Sequence, residues 1–236
     1  MRALAVLLLM ALPVAAKPLV VHVTVALCDN ASQGIVPVPA AIGNGNDPRT
    51  NLYWGAMYGL KSQLKREKWS IEMGRAAHDD ILETLVARKT IAGREVVITA
   101  DAWRGSSIRD AITAFLVQAS GGGAGAGADI VVYIGHDGLM EFNVSPRYVR
   151  AAAPPRSIVL ACASRQYFGE HLRRARSEPL LWTNGLMAPE AYTLTAAIGA
   201  WVKTGDAAAV REAAAQAYHA HQKCGIRAAR RLFRAQ

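Results

Sequence analysis

Two apolar stretches of the chain each end on a side chain that can do chemistry. The first, VVYIGHDG, covers residues 131–138 and turns polar at His136. The second, SIVLACAS, covers residues 157–164 and stops at Cys162. Imidazole titrates near neutral pH and a thiolate is a strong nucleophile, so the pair has the residue types of a thiol hydrolase. We expect Cys162 to act as the nucleophile and His136 as its acid and base.

The sequence neighbours of both groups suit this chemistry. A helical pattern begins just after Cys162, and a helix N-terminus together with Arg165 would favour the thiolate and so lower the pKa of the thiol. Gly138 has a bare backbone, so its N–H could donate to a developing oxyanion, with the Cys162 N–H as a second donor. The alternative for Cys162 is a role as a small core residue, because cysteine is among the most often buried residue types.

The elements that must position these groups are strands alternating with helices. Apolar, β-branched runs predict strands over residues 18–27, 94–100, 129–135, 157–161 and 179–182. Amphipathic spacing predicts helices between and after them, including one over residues 52–66 and basic ones at the C-terminus. This alternation is typical of an α/β fold with three layers, in which a mainly parallel sheet carries helices on both faces.

Polar residues follow each of the predicted strands. Because ligands bind beyond the carboxyl ends of parallel strands, we expect one site along this edge of the sheet. Besides His136 and Cys162, the residues there are Asp29, Asp101, Asp137 and Asn184. We expect these four to contact a substrate; roles in turns and helix caps are the alternative.

The two stretches resemble the motifs of the caspase-like cysteine peptidases, in which one apolar strand ends on His-Gly and a later one on Ala-Cys. The resemblance covers about residues 94–185. It implies a caspase–haemoglobinase fold, His136 and Cys162 as catalytic residues, Gly138 at the oxyanion, a peptide or protein substrate, and no cofactor. In this chain Asp137 stands between the histidine and the glycine. A second hypothesis is therefore a non-catalytic module of the same fold that holds a peptide or envelope ligand.

The N-terminus has the pattern of a secretory signal peptide over residues 1–16, with Arg2, an apolar run and small residues before Lys17. We therefore expect a single domain over residues 17–236 that is secreted or periplasmic, with no later membrane span. The formal net charge is +9, and residues 203–236 are rich in Lys and Arg. This segment has no interleaved aromatic residues and no nucleic-acid-binding motif. Its charge pattern therefore predicts a helix face in contact with solvent, and we expect no nucleic-acid partner.

The chain has three cysteines, so at least one thiol is unpaired in a monomer. We expect either a Cys28–Cys224 bridge or no bridge, with Cys162 free. A Cys28–Cys162 bridge is a weaker, redox alternative. No metal site is predicted, because His219 and His221 are two residues apart and would lie on different faces of a helix.

Overall fold

The computed structural model describes residues 16–235, which form one sheet of eight strands with helices against it. The sheet order is β2-β3-β4-β1-β5-β6-β7-β8. The strands are β1 (Leu19–Ala26), β2 (Ser70–Gly74), β3 (Ile81–Ile91), β4 (Arg94–Trp103), β5 (Ile130–Ile134), β6 (Arg156–Leu160), β7 (Pro179–Thr183) and β8 (Phe233–Arg234). Except for Ala16, the predicted signal peptide lies outside the described residues.

Helices cover both faces of this sheet. They are α1 (Leu60–Arg66), α2 (Ile108–Ala119), α3 (Ser164–Ala175), α4 (Tyr192–Thr204), α5 (Ala207–Gln222) and α6 (Ile226–Leu232). Buried residues of α1, α4 and α5 pack in one core cluster, on what we call the α4 face of the sheet. Buried residues of α2 and α3 pack in a second cluster on the opposite, α2 face. The predicted α/β architecture is thereby confirmed.

The five strands predicted from apolar runs are the parallel centre of the sheet, in the order β4-β1-β5-β6-β7. β1, β5 and β6 are almost entirely buried, because a parallel sheet with helices on both sides buries both faces of its inner strands. All five residues of β5 are buried. Val132 and Ile134 contribute to the α4-face cluster, whereas Val131 and Tyr133 contribute to the α2-face cluster.

The helix predicted over residues 52–66 is wrong in its first half, since α1 begins only at Leu60. Asn51 explains the difference. Its buried side chain accepts from the Cys28 N–H at 3.0 Å and donates to the Cys28 carbonyl at 2.8 Å, so it holds the chain against the end of β1. The N–H groups of residues 54–56 donate to the Asn51 carbonyl, which winds this segment into tight turns. Such side-chain bonds to the backbone compete with helix formation.

The strands that the sequence does not predict are the antiparallel ones at the edges. Residues 67–93, which are ambiguous in sequence, contain β2 and β3, and β3 pairs antiparallel with both β2 and β4. This pairing extends β4 to Trp103, beyond the predicted stop at Asp101. Asp101 therefore lies within a strand, where its carboxylate accepts from the Thr84 hydroxyl at 2.7 Å and lies 3.5 Å from His22 Nε2. The prediction that Asp101 closes a strand is wrong.

Candidate active site

The register of the sheet gives His136 and Cys162 equivalent positions on neighbouring strands. Ile134 of β5 pairs with Leu160 of β6, and His136 and Cys162 each follow this pair by two residues. Because side chains alternate along a strand, both share the orientation of Ile134 and Leu160, which pack on the α4 face. Neighbouring strands are about 4.8 Å apart, so the chain brings these two positions to adjacent places at the carboxyl ends of the strands.

His136 and Cys162 line the same crevice, a cavity of about 430 Å³ beyond the carboxyl ends of the parallel strands. Its walls come from residues 34–38 in the loop after β1, from Leu52 and Tyr53, and from residues 186–189 in the loop after β7. The crevice lies beside the boundary between β1 and β5, where the order of the parallel strands reverses along the chain. Open α/β sheets bind their ligands at such switch points.

His136 is held by a carboxylate that the sequence did not single out. Its Nε2 lies 2.7 Å from Glu141 Oε1, and the same oxygen accepts from the Gly34 N–H at 3.0 Å. The backbone carbonyl of His136 accepts from the Tyr133 hydroxyl at 2.8 Å. The imidazole is buried, whereas the Glu141 side chain is 37% exposed. A spacing of five residues between the histidine and the acidic residue fits no helix or strand face, so the sequence carries no specific signal for this pair.

Cys162 sits in a sharp connection from strand to helix. β6 ends at Leu160 and α3 begins at Ser164, so the thiol stands just before the helix, as the sequence predicts. Ala163, directly after it, has a φ of 45°, in the left-handed region that residues with a side chain rarely adopt. Strained backbone of this kind is concentrated at functional sites, where the surrounding structure holds it in place.

The half-buried thiol of Cys162 contacts the backbone of Met187, whose N–H points at Sγ from 3.4 Å and whose carbonyl lies 3.6 Å from it. Burial raises the pKa of Cys162, the Met187 N–H opposes this, and the negative charge of Asp137 adds to it. The expected lowering of this pKa by the helix N-terminus and Arg165 is therefore wrong, because desolvation prevails. Arg165 is exposed and does not line the crevice.

A second thiol lies behind the first. Cys28 is fully buried, and burial raises its pKa to about 11, partly offset by a hydrogen bond with Tyr53. Burial is the main cause that raises the pKa of Tyr53, and negative charge on Cys28 or Cys162 raises it further. All three cysteines are free thiols in the structure, so it contains neither a Cys28–Cys224 nor a Cys28–Cys162 bridge. Cys224 is exposed, whereas Cys28 is sealed in the core.

Asp137 and Gly138 do not face the crevice. The fully buried carboxylate of Asp137 accepts from the Leu139 N–H at 3.1 Å, and its charge acts on Tyr133 of the α2 face. The Gly138 N–H donates to the His136 carbonyl at 3.1 Å, and its Cα faces Phe142. Asp137 therefore does not line the crevice. The Gly138 N–H, which the sequence predicts as an oxyanion donor, is already hydrogen-bonded to the His136 carbonyl.

Asp29 and Asn184 have local roles instead of lining the crevice. The carboxylate of Asp29 accepts from the Ser32 hydroxyl at 2.6 Å and from the Ala31 N–H at 3.2 Å, which closes a turn after β1. The side-chain amide of Asn184 donates to the Arg231 carbonyl at 3.2 Å and so ties the end of β7 to α6. Of the residues predicted at this edge, His136 and Cys162 are the two that meet in the crevice.

No protein-family model, curated protein or solved structure matches the chain. Across residues 16–235 no cluster of three or more His, Cys, Asp or Glu side chains has the arrangement of a metal site. Within the same residues, no helix combines the length and the apolar character that crossing a membrane requires.

Proposed function

We propose that the protein is a cysteine hydrolase of the caspase-like kind, most simply a peptidase, that acts after export from the cytoplasm. The observation that carries the proposal is the shared crevice of His136 and Cys162, at equal register on adjacent strands and at the switch point of the sheet. The α/β sheet also supports the caspase–haemoglobinase resemblance of the two motifs, and the pattern of residues 1–16 supports export.

The reaction is an acyl transfer in two steps. Cys162 gives its proton to His136, the sulfur bonds to the substrate carbonyl carbon, and the scissile C–N bond breaks as the leaving amine takes that proton. Water then gives a proton to His136 and attacks the thioester; the C–S bond breaks and the sulfur regains a proton. Since the resting thiol has a raised pKa, His136 must remove its proton during the attack. The Cys162 N–H is the oxyanion donor in this proposal.

The test is covalent labelling of Cys162 by a peptidyl acyloxymethyl ketone in a Cys224→Ser background, because Cys224 is exposed. We expect mass spectrometry to find the adduct on Cys162. We expect His136→Ala to slow labelling at least about 100-fold, the lower range for loss of an acid–base group. His78→Ala is the control, since His78 is exposed and outside the crevice. Equal labelling rates in the two histidine variants would refute the dyad.

The second candidate is a binding module of the same fold without catalysis. The engaged Gly138 N–H favours it, because the oxyanion donor implied by the family resemblance donates to the His136 carbonyl instead. The two candidates differ in turnover. Hydrolysis of any peptide or ester that Cys162→Ala abolishes excludes the binding module. Tight peptide binding that survives Cys162→Ala, with no turnover over a broad substrate panel, excludes the hydrolase.

A further inference from the structure

The walls of the crevice around Cys162 are apolar. No Asp, Glu, Lys or Arg side chain is among the described residues that line it. Aliphatic side chains come from three separate segments of the chain: Ile35, Val36, Val38, Leu52, Leu186 and Met187. Small-molecule sites are commonly apolar cavities of about 300–1,000 Å³ with a few polar groups, and a volume of about 430 Å³ falls in this range.

The rim of the crevice exposes large apolar side chains to solvent. Val36 is 87% exposed and Leu186 is 77% exposed, and both line this cavity although they come from different segments of the chain. Single exposed apolar residues are ordinary on protein surfaces, but a contiguous apolar patch around a cavity marks a binding site. A bound apolar group would remove both side chains from water, which favours binding.

The described residues that line the crevice offer no charged partner to a bound group. Glu141, which contacts His136 and the Gly34 N–H through Oε1, is not among the lining residues. A charged substrate side chain would lose hydration against these apolar walls, whereas an aliphatic one would gain by burial.

We propose that the crevice binds an aliphatic side chain next to the carbonyl that Cys162 attacks. This inference rests on the proposed function and names its substrate class, an acyl compound with an apolar, uncharged group beside the reacting carbon. Peptides and simple acyl esters share this chemistry, and parallel assays of leucyl peptide amides and leucyl esters tell them apart.

The pocket is tested by alkylation of Cys162, which needs no turnover. In the Cys224→Ser background, iodoacetamides with N-isobutyl, N-carboxyethyl or N-aminoethyl tails are compared, each rate divided by that of the same reagent with free glutathione. The sulfur–carbon bond forms, iodide leaves, and the thiol proton passes to His136 or water. We expect the isobutyl reagent to be favoured about 10–100-fold over both charged ones, the range for discrimination by an apolar pocket. An equal or faster normalised rate for a charged reagent overturns the proposal.

A matched pair of substitutions connects this preference with the wall. Leu186→Asp puts a carboxylate on the exposed rim, and we expect it to reduce the isobutyl preference at least 5-fold and to speed the aminoethyl reagent. Val149→Asp is the control, because Val149 is also an exposed apolar residue but does not line the crevice. If both variants keep the original preference, the wall does not select the reagent and the proposal fails.

The failure of this inference and that of the proposed function have different signatures. Cys162-dependent turnover that prefers charged side chains overturns the aliphatic pocket and keeps the hydrolase. Isobutyl-selective alkylation of Cys162, without turnover of any leucyl amide or ester, keeps the pocket and overturns the hydrolase.

Discussion

The proton chemistry of His136 depends on which of its ring nitrogens is the base. A carboxylate only accepts hydrogen bonds at neutral pH, so the 2.7 Å contact with Glu141 puts the proton on Nε2. In the neutral imidazole, Nδ1 is then left as the basic nitrogen. The same carboxylate stabilises the imidazolium that forms when the thiol gives up its proton, as the aspartate does in serine hydrolase triads. Glu141 is thus a positioning residue that acts through His136.

Glu141→Gln preserves the shape of this contact but removes its negative charge. We expect the rate of Cys162 acylation to fall about 10–100-fold, the range seen when a metal-bound histidine loses the carboxylate that orients it. The measurement is acyloxymethyl ketone labelling of Cys162 at several pH values. Glu170→Gln is the control, because Glu170 is an exposed carboxylate on α3 paired with Arg173. Indistinguishable rates for these two variants would remove Glu141 from the mechanism.

The buried carboxyl of Asp137 should make the stability of the fold depend on pH. One of its oxygens has no hydrogen-bond partner within the described residues, and burial raises the pKa of this carboxyl to about 7 from its usual 3.8. Between these values the folded protein keeps a proton that the unfolded chain releases. Stability therefore falls as pH rises from about 4 to 7, and the loss is complete above pH 7. Asp137→Asn removes the charge and with it this loss.

We expect wild type to lose about 2–4 kcal/mol more than Asp137→Asn between pH 4.5 and pH 8, at about 1.4 kcal/mol per pKa unit. Urea unfolding at both pH values gives the two differences directly. Asp79→Asn, at an exposed position, is expected to follow wild type. Parallel pH profiles for wild type and Asp137→Asn would show that the carboxyl titrates normally.

The elements differ in how far the sequence predicts them, and the reason is burial. β1, β5 and β6 are almost entirely buried, and apolar, β-branched runs mark these strands in the sequence. β4 and β7 also contain short apolar runs, so the sequence predicts all five parallel strands. β2 is largely exposed and β3 has few fully buried residues, so their sequences show no such run. Their identity as strands depends on pairing with β4, a contact over distance that local pattern does not encode.

The same limit applies to the candidate site. His136 and Cys162 could be predicted because they extend two recognisable strands in equal register. Glu141 could not, since its contact depends on the turn at residues 138–140, which Asp137 caps. Asp29 and Asn184 follow strands as expected, yet both satisfy nearby backbone groups. Residue type alone does not separate a turn from a substrate contact.

Asn51 is the residue on which the wall of the crevice beside β1 depends. Its buried side chain makes hydrogen bonds to Cys28, Asn44 and Tyr53, and so holds the loop and Tyr53 against the sheet. Asn51→Ala leaves several buried backbone groups unpaired, and each costs about 1–3 kcal/mol. We expect the free energy of unfolding to fall by about 3 kcal/mol or more in urea titrations. Exposed Asn143→Ala is the control and should change little; a loss below about 1 kcal/mol for Asn51→Ala would contradict this account.

At the scale of the whole molecule, the C-terminal segment adds the last strand at one edge of the sheet. α6 leads into β8, which pairs antiparallel with β7, and Phe233 of β8 is fully buried. The basic residues of this segment are mostly exposed, as predicted for a solvated helix face. One ion pair, between Arg230 and Glu212, joins α6 to α5 at 2.6 Å. The apolar contact and the ion pair are competing explanations for why the segment stays in place.

Magnitudes favour the apolar contact. The Arg230–Glu212 pair is about half exposed, and water and salt screen such pairs. Arg230→Ala should therefore change the free energy of unfolding little, and the change should be smaller still at high salt. Phe233→Ala leaves a cavity in the core and should cost about 3–5 kcal/mol at any salt concentration. Urea unfolding at 0.05 M and 1 M NaCl checks both expectations. A larger, salt-dependent loss in Arg230→Ala than in Phe233→Ala would mean that charge, and not packing, fastens the C-terminus to the sheet.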